Sequence, residues 1–218
     1  MHRKLLIALL LASASVLSHA TTVIQWADSG AYSSQGDHSP SNTNYIAGFC
    51  PDCGNKNFRN FFVFDTSSIV GQVTSAILRL RAGNIPGNGT YTLFDVTTPV
   101  TALRAGGSGL TDIYADLGSG TRYGSTALTS VQTSGLVDIT LNADAIAAIN
   151  ARPGLFALAG TYDTPDSFAF GGTDADERRQ LRLETNAVPE PASMALVGLG
   201  LCAIFGARKR KNPRPAHA

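Results

Sequence analysis

The sequence predicts an all-β body, an antiparallel β-sandwich of jelly-roll type with one short helix, set between an N-terminal signal helix and a C-terminal membrane helix. Three observations carry that prediction. Short apolar or alternating runs recur along the middle of the 218-residue chain, parted by clusters of Gly, Pro, Asn, Asp and Ser, as many-stranded antiparallel folds require. Only one stretch has helix chemistry at both of its ends. The two termini each carry an uncharged apolar run beside a basic cluster. No internal repeat is visible, which argues against solenoids and propellers.

Taken in order, Val23–Trp26 starts the body as a strand, and the Ser, Gly, Asn, Asp and Pro content of Asp28–Asn44 reads as loop. Phe58–Asp65 is aromatic and β-rich without helical spacing, which fits a strand buried on both faces. Val73–Ala82 alternates, with Ala76, Leu78, Leu80 and Ala82 facing inward and Ser75, Arg79 and Arg81 outward. Pro86-Gly-Asn-Gly89 is a turn, and Thr90–Val96 returns as a strand. The glycine-rich stretch Thr97–Thr133 reads as long loops around one or two short strands, after which Leu136–Leu141 alternates again. The one helix is expected over Ala143–Asn150. Asn142 caps it, Asp144 sits in its first turn, Ile146 and Ile149 share a face, and Arg152-Pro153-Gly154 ends it. Leu155–Gly160, Ser167–Phe170 and Gln180–Glu184 complete the strands.

The ends read as addresses, giving residues 1–20 as a signal peptide, 21–187 as the sandwich and 188–218 as a tail. Met1-His-Arg-Lys4 is a positive n-region and Leu5–Leu17 an apolar h-region. Ser18-His-Ala20 places small residues where signal peptidase cuts, so cleavage is expected after Ala20. In the tail, Pro189 and Pro191 bar a helix and hold Pro189-Glu190-Pro191 extended. The uncharged residues Ala192–Ala207 would rise about 24 Å as a helix, a little short of the roughly 30 Å hydrocarbon core of a bilayer. Arg208, Lys209, Arg210 and Lys211 then form a basic stop. An ordinary single-span anchor preceded by a proline linker has the same apolar and basic parts. The order Pro-Glu-Pro, apolar run, basic end resembles the PEP-CTERM sorting signal of Gram-negative bacteria. That resemblance implies recognition by an exosortase, a membrane-embedded cysteine transpeptidase, with cleavage near the motif and loss of the tail.

The net charge of +1 conceals an acidic body, because residues 21–188 hold ten Lys and Arg against fifteen Asp and Glu, or −5. Such a body argues against nucleic acid as a partner. Cys50 and Cys53 are the body's only cysteines. In an exported protein a disulfide is expected between them, while zinc would need two further ligands and a redox role a βαβ setting. A second resemblance, carried by Ser41-Asn-Thr-Asn-Tyr45, Phe61-Phe-Val-Phe-Asp65 and Val73-Thr-Ser-Ala-Ile-Leu-Arg-Leu80, is to the opening half of DNRLRE-type modules. These are jelly-roll domains of secreted bacterial proteins, some of them related to carbohydrate-binding modules. The inserted Phe49–Gly54 departs from that pattern.

No catalytic set stands out, and the chain is read as a non-enzyme with no cofactor. His38, the only histidine of the body, lies in a polar loop and reads as solvated. No Gly-x-Ser-x-Gly elbow exists, and fifteen acids make candidate glycosidase pairs uninformative. Asp163, Asp166, Asp174, Asp176 and Glu177 are a possible calcium cluster without EF-hand spacing, with Arg178, Arg179 and Arg182 as compensating charges. Among the aromatics, Trp26 and Tyr91 read as core. Tyr114 and Tyr123, in glycine-rich loops, are the candidates for exposed sugar-binding rings. The expected protein is a secreted or surface-displayed β-sandwich, held transiently in the inner membrane. Signal peptidase and exosortase are its processing partners, and extracellular polysaccharide or biofilm matrix its expected surroundings. A carbohydrate-binding module and, behind it, a secreted hydrolase are the alternatives.

Overall fold

The computed structural model describes residues 19–151, 153–171 and 179–186. The chain divides into two units, Met1–Asn186 and Ala187–Ala218, and the described residues all belong to the first. Its strands are β1 His19–Ser33, β2 Ala47–Cys50, β3 Lys56–Asp65, β4 Val73–Arg81, β5 Gly89–Phe94, β6 Arg122–Leu128, β7 Leu136–Thr140, β8 Leu155–Asp163, β9 Phe168–Ala169 and β10 Arg179–Asn186. Its helices are α1 Val100–Ala105, α2 Thr111–Asp116 and α3 Ala143–Ala151.

Setting aside the short β2 and β9, the eight long strands pair as nested hairpins. The first pairs with the last (β1·β10), the second with the next to last (β3·β8), then β4·β7 and β5·β6, all antiparallel. Rolling up this nest gives two sheets, β7-β4-β10-β1 and β1-β3-β8-β5-β6, which is jelly-roll topology. β1 belongs to both sheets: His19–Gln25 pairs with β10 and Trp26–Ser33 with β3, with a register shift at Trp26/Asp28 where the strand crosses. At the opposite seam the Asn142 backbone N–H donates to the Tyr123 carbonyl (2.8 Å) and its side-chain amide to the Arg122 carbonyl (2.7 Å). The sandwich is thereby nearly closed into a barrel.

Phe62 and Phe64 of β3 enter the inter-sheet core with Leu78, Leu80, Leu93, Leu158, Leu181 and Leu183. Their neighbours Phe61 and Val63 point outward, yet they too are buried, because α1 and α2 lie over that face, with Leu103 from α1 and Leu117 just past the end of α2. This is why the strand reads as continuously apolar. Each such large side chain contributes roughly 1.5–3 kcal/mol of burial.

Three expectations need correction. Asp28–Ser33 is strand, not loop: pairing with β3 gives its backbone partners, and the Tyr32 hydroxyl anchors it by donating to the Leu103 carbonyl at 2.8 Å. Tertiary pairing here overrides local turn chemistry. The described residues hold three α-helices rather than one, since Thr97–Thr133 contains α1 and α2 beside β6. Six-residue helices carry too little periodicity to be read in sequence and hold by burial instead. The Val73–Arg81 and Leu136–Thr140 strands follow their alternation, and α3 is capped by the Asn142 side-chain oxygen, which accepts from the Ala145 N–H at 3.1 Å. Third, Arg179 is not a solvated counter-charge: it is fully buried, its guanidinium between the rings of Trp26 (4.2 Å) and Tyr45 (4.6 Å).

Cys50 and Cys53 form the expected disulfide across the 3-10 turn Pro51–Cys53. So short a loop restricts the unfolded chain little, about 2 kcal/mol on the chain-entropy scale. The double substitution C50S/C53S is expected to lower the midpoint of thermal unfolding by about 4–8 °C, measured by circular dichroism. No change at all would mean that the bridge contributes nothing to stability.

Candidate functional site

Beyond the end of β5 the chain passes through Asp95–Pro99 into α1, and this segment faces α3 across a cleft of about 670 Å³. One side is polar. Asp95 lines it, with its Oδ1 accepting from the Thr121 N–H at 2.7 Å. Thr97 and Thr98 also line it, and both hydroxyls donate to the Asp116 carboxylate. Burial alone would raise the pKa of Asp116, but those hydroxyls and the Thr97 and Thr98 backbone N–H groups outweigh it and hold the acid ionised. The opposite side is the alanine face of α3, with Ala147, Ala148 and Ala151. Tyr123 and Phe156, both buried and stacked with ring centroids 6.2 Å apart, complete the lining with half-exposed Leu155.

The structure separates the two tyrosines singled out in the sequence. Tyr123 is not an exposed loop ring: it sits on β6 at 6% exposure, because the closing seam with α3 covers it. Tyr114 lies on α2, half-buried under the Arg59 guanidinium at 4.3 Å, and Arg59 donates to the Tyr114 and Ala115 carbonyls, tying down that helix end. Tyr32, Tyr45, Tyr91 and Tyr162 are all buried, so the described tyrosines form no exposed aromatic platform. Sequence reasoning missed Asp95, Thr97 and Thr98, which carried no signal beyond their place in a polar loop.

His38 is not solvated either. It is 8% exposed, against the rings of Tyr32 (4.8 Å) and Phe61 (5.2 Å), with Nδ1 at 3.2 Å from the Ala31 carbonyl. Burial lowers its pKa against the smaller opposing effect of that carbonyl. The unfolded chain therefore takes up a proton more readily than the folded one. The stability that neutral His38 contributes is complete above about pH 6.5 and is lost as pH falls from there through the folded-state pKa. Melting temperatures between pH 7.5 and 5 are expected to fall in the native protein and to fall less in His38→Gln. Identical slopes would refute the assignment.

Asp163 and Asp166 are exposed, while Asp174, Asp176 and Glu177 lie outside the described residues. Among the described residues no group of three or more His, Cys, Asp or Glu could hold a metal ion. Ala20 pairs with Thr185 near the start of β1. Pro189, Glu190, Pro191, the apolar run and Arg208–Lys211 also lie outside the described residues, among which no helix is long and apolar enough to cross a membrane.

Comparison with known proteins bears chiefly on the tail. No curated protein matches the chain. Among solved structures, a carbohydrate-binding module of lichenase 5A from Cellvibrio mixtus, in complex with cellotriose, is similar at 11% identity and a TM-score of 0.29, over 77% of this chain and 98% of that one. A likeness so distant carries no argument about a ligand. Residues 187–211 match the family model of the PEP-CTERM protein-sorting motif, so the tail carries that sorting motif.

Proposed function

We propose that this is an exported, non-catalytic jelly-roll protein that an exosortase sorts to the cell surface or its surroundings, where the body associates with extracellular polysaccharide. The observation that carries the reading is the sorting motif at residues 187–211. In this reading signal peptidase cuts after Ala20, the apolar run Met194–Gly206 holds the chain in the inner membrane, and Arg208–Lys211 stops its transfer. The acidic body, −5 over residues 21–188, supports an aqueous surface setting and disfavours an anionic bilayer or nucleic acid. His38, the body's only histidine, is enclosed by aromatic rings, which supports a module without acid–base chemistry.

The test is cell fractionation with intact-mass analysis in a strain with a working exosortase and in one without it. The expected result is a surface or released form lacking both ends in the first strain and a membrane-held form with the tail in the second. Identical masses and fractions in the two strains would refute the reading.

A further inference from the structure

We infer that the cleft between the Asp95–Pro99 segment and α3 is a binding site for a neutral oligosaccharide, a deepening of the matrix reading that also rests on it. The reason is the chemistry of the polar groups in its lining. Asp95 has one carboxylate oxygen taken by the Thr121 N–H, and among the described residues no hydrogen bond engages the other. The Thr97 and Thr98 hydroxyls have spent their protons on Asp116, so toward any further partner they can only accept. No lysine, arginine or histidine among the described residues lines the cleft. A wall of acceptors with an anionic member repels carboxylate and sulfate groups and selects a ligand rich in hydroxyl donors, whose bonds to a carboxylate are charge-assisted.

The rest of the lining is apolar and shallow. Ala147, Ala148 and Ala151 line the α3 side, Val96, Pro99, Val100 and Leu155 add further apolar surface, and Phe156 and Tyr123, 7% and 6% exposed, offer little of their rings. A ligand must therefore present hydroxyls along one edge and a C–H face on the other, which is the chemistry of a pyranose ring. At about 670 Å³ the space lies within the usual range for small-ligand sites.

The full chain in detergent is titrated calorimetrically with neutral trisaccharides of glucose, mannose and galactose, and with a tri-uronate as the anionic probe. Saturable binding of at least one neutral sugar, and none of the uronate, is expected. Asp95→Asn keeps the acceptor for Thr121 but turns the other oxygen into a donor, and is expected to weaken binding at least tenfold. Ala147→Trp, at an exposed helix position that fills the cleft, is expected to abolish binding while the thermal midpoint stays within a few degrees. The inference is overturned if no neutral sugar binds, if the uronate binds more tightly, or if Ala147→Trp binds like the native chain. Co-sedimentation of native and Ala147→Trp protein with the producing cell's own polysaccharide separates the two readings. Retention of both forms keeps the matrix association and removes it from this cleft, whereas retention of neither removes the association itself.

Discussion

Asn60→Leu is expected to lower the thermal midpoint by roughly 5–15 °C, at about 2–4 °C per kcal/mol for a protein of this size. Asn60 is fully buried in the middle of β3 and serves two partners: its amide nitrogen donates to the Tyr45 carbonyl at 2.6 Å, and its oxygen accepts from the Tyr91 hydroxyl at 2.7 Å. Leucine fills a similar volume but strands both groups in the core, at about 1–3 kcal/mol each. The burial that makes this network costly to break also raises the pKa of the Tyr91 phenol above its ordinary value. Gly160 of β8 belongs to the same unit, since a Cβ there would overlap the Tyr91 hydroxyl and the Asn60 oxygen. Gly160→Ala should therefore destabilise comparably, and adding Tyr91→Phe should recover part of the loss in Asn60→Leu by removing the stranded hydroxyl but little of it in Gly160→Ala, where the ring carbon that phenylalanine keeps and the Asn60 oxygen still crowd the new methyl. Strict additivity in these double mutants, read from denaturant titrations, would show that the three residues do not act as a unit.

The second large effect lies in the tail. Replacing Pro189, Glu190 and Pro191 together by alanine removes both backbone locks and the motif's acid, and lets the segment join the apolar run as helix. The expected outcome is all-or-none: processing at the tail stops, and the protein stays in the membrane fraction with its basic end attached. The body is untouched by the change, so export and folding serve as internal controls. Normal processing of the triple variant, seen as an unchanged intact mass of the surface form, would show that Pro-Glu-Pro is not what the transpeptidase reads.

What the sequence disclosed follows a physical line. Strands whose faces differ, such as Val73–Arg81, announce themselves by alternation, and Phe61–Phe64 announces burial on two sides, although not that two small helices supply the second cover. The tail was legible because its information is local: two prolines, an uncharged run and four basic residues need no fold to be recognised. The cleft was not, because Asp95, Tyr123, Ala147 and Phe156 come from four separate elements and mean something only once the seam between β6 and α3 has closed. Arg179 and His38 failed for the same reason from the other side. Their polar neighbours in sequence suggested water, whereas Trp26 and Tyr45 for the one, and Tyr32 and Phe61 for the other, arrive from elsewhere in the chain.

The pairing of Thr21, the first residue of the body, with Glu184 brings the entrance and exit of the body to the same end of one ladder. Within the body β10 is flanked on both sides, with five register pairs to Thr21–Gln25 of β1 and seven to β4. A tug arriving through its C-terminal end runs along the strand and loads those bonds together in shear instead of unzipping them singly.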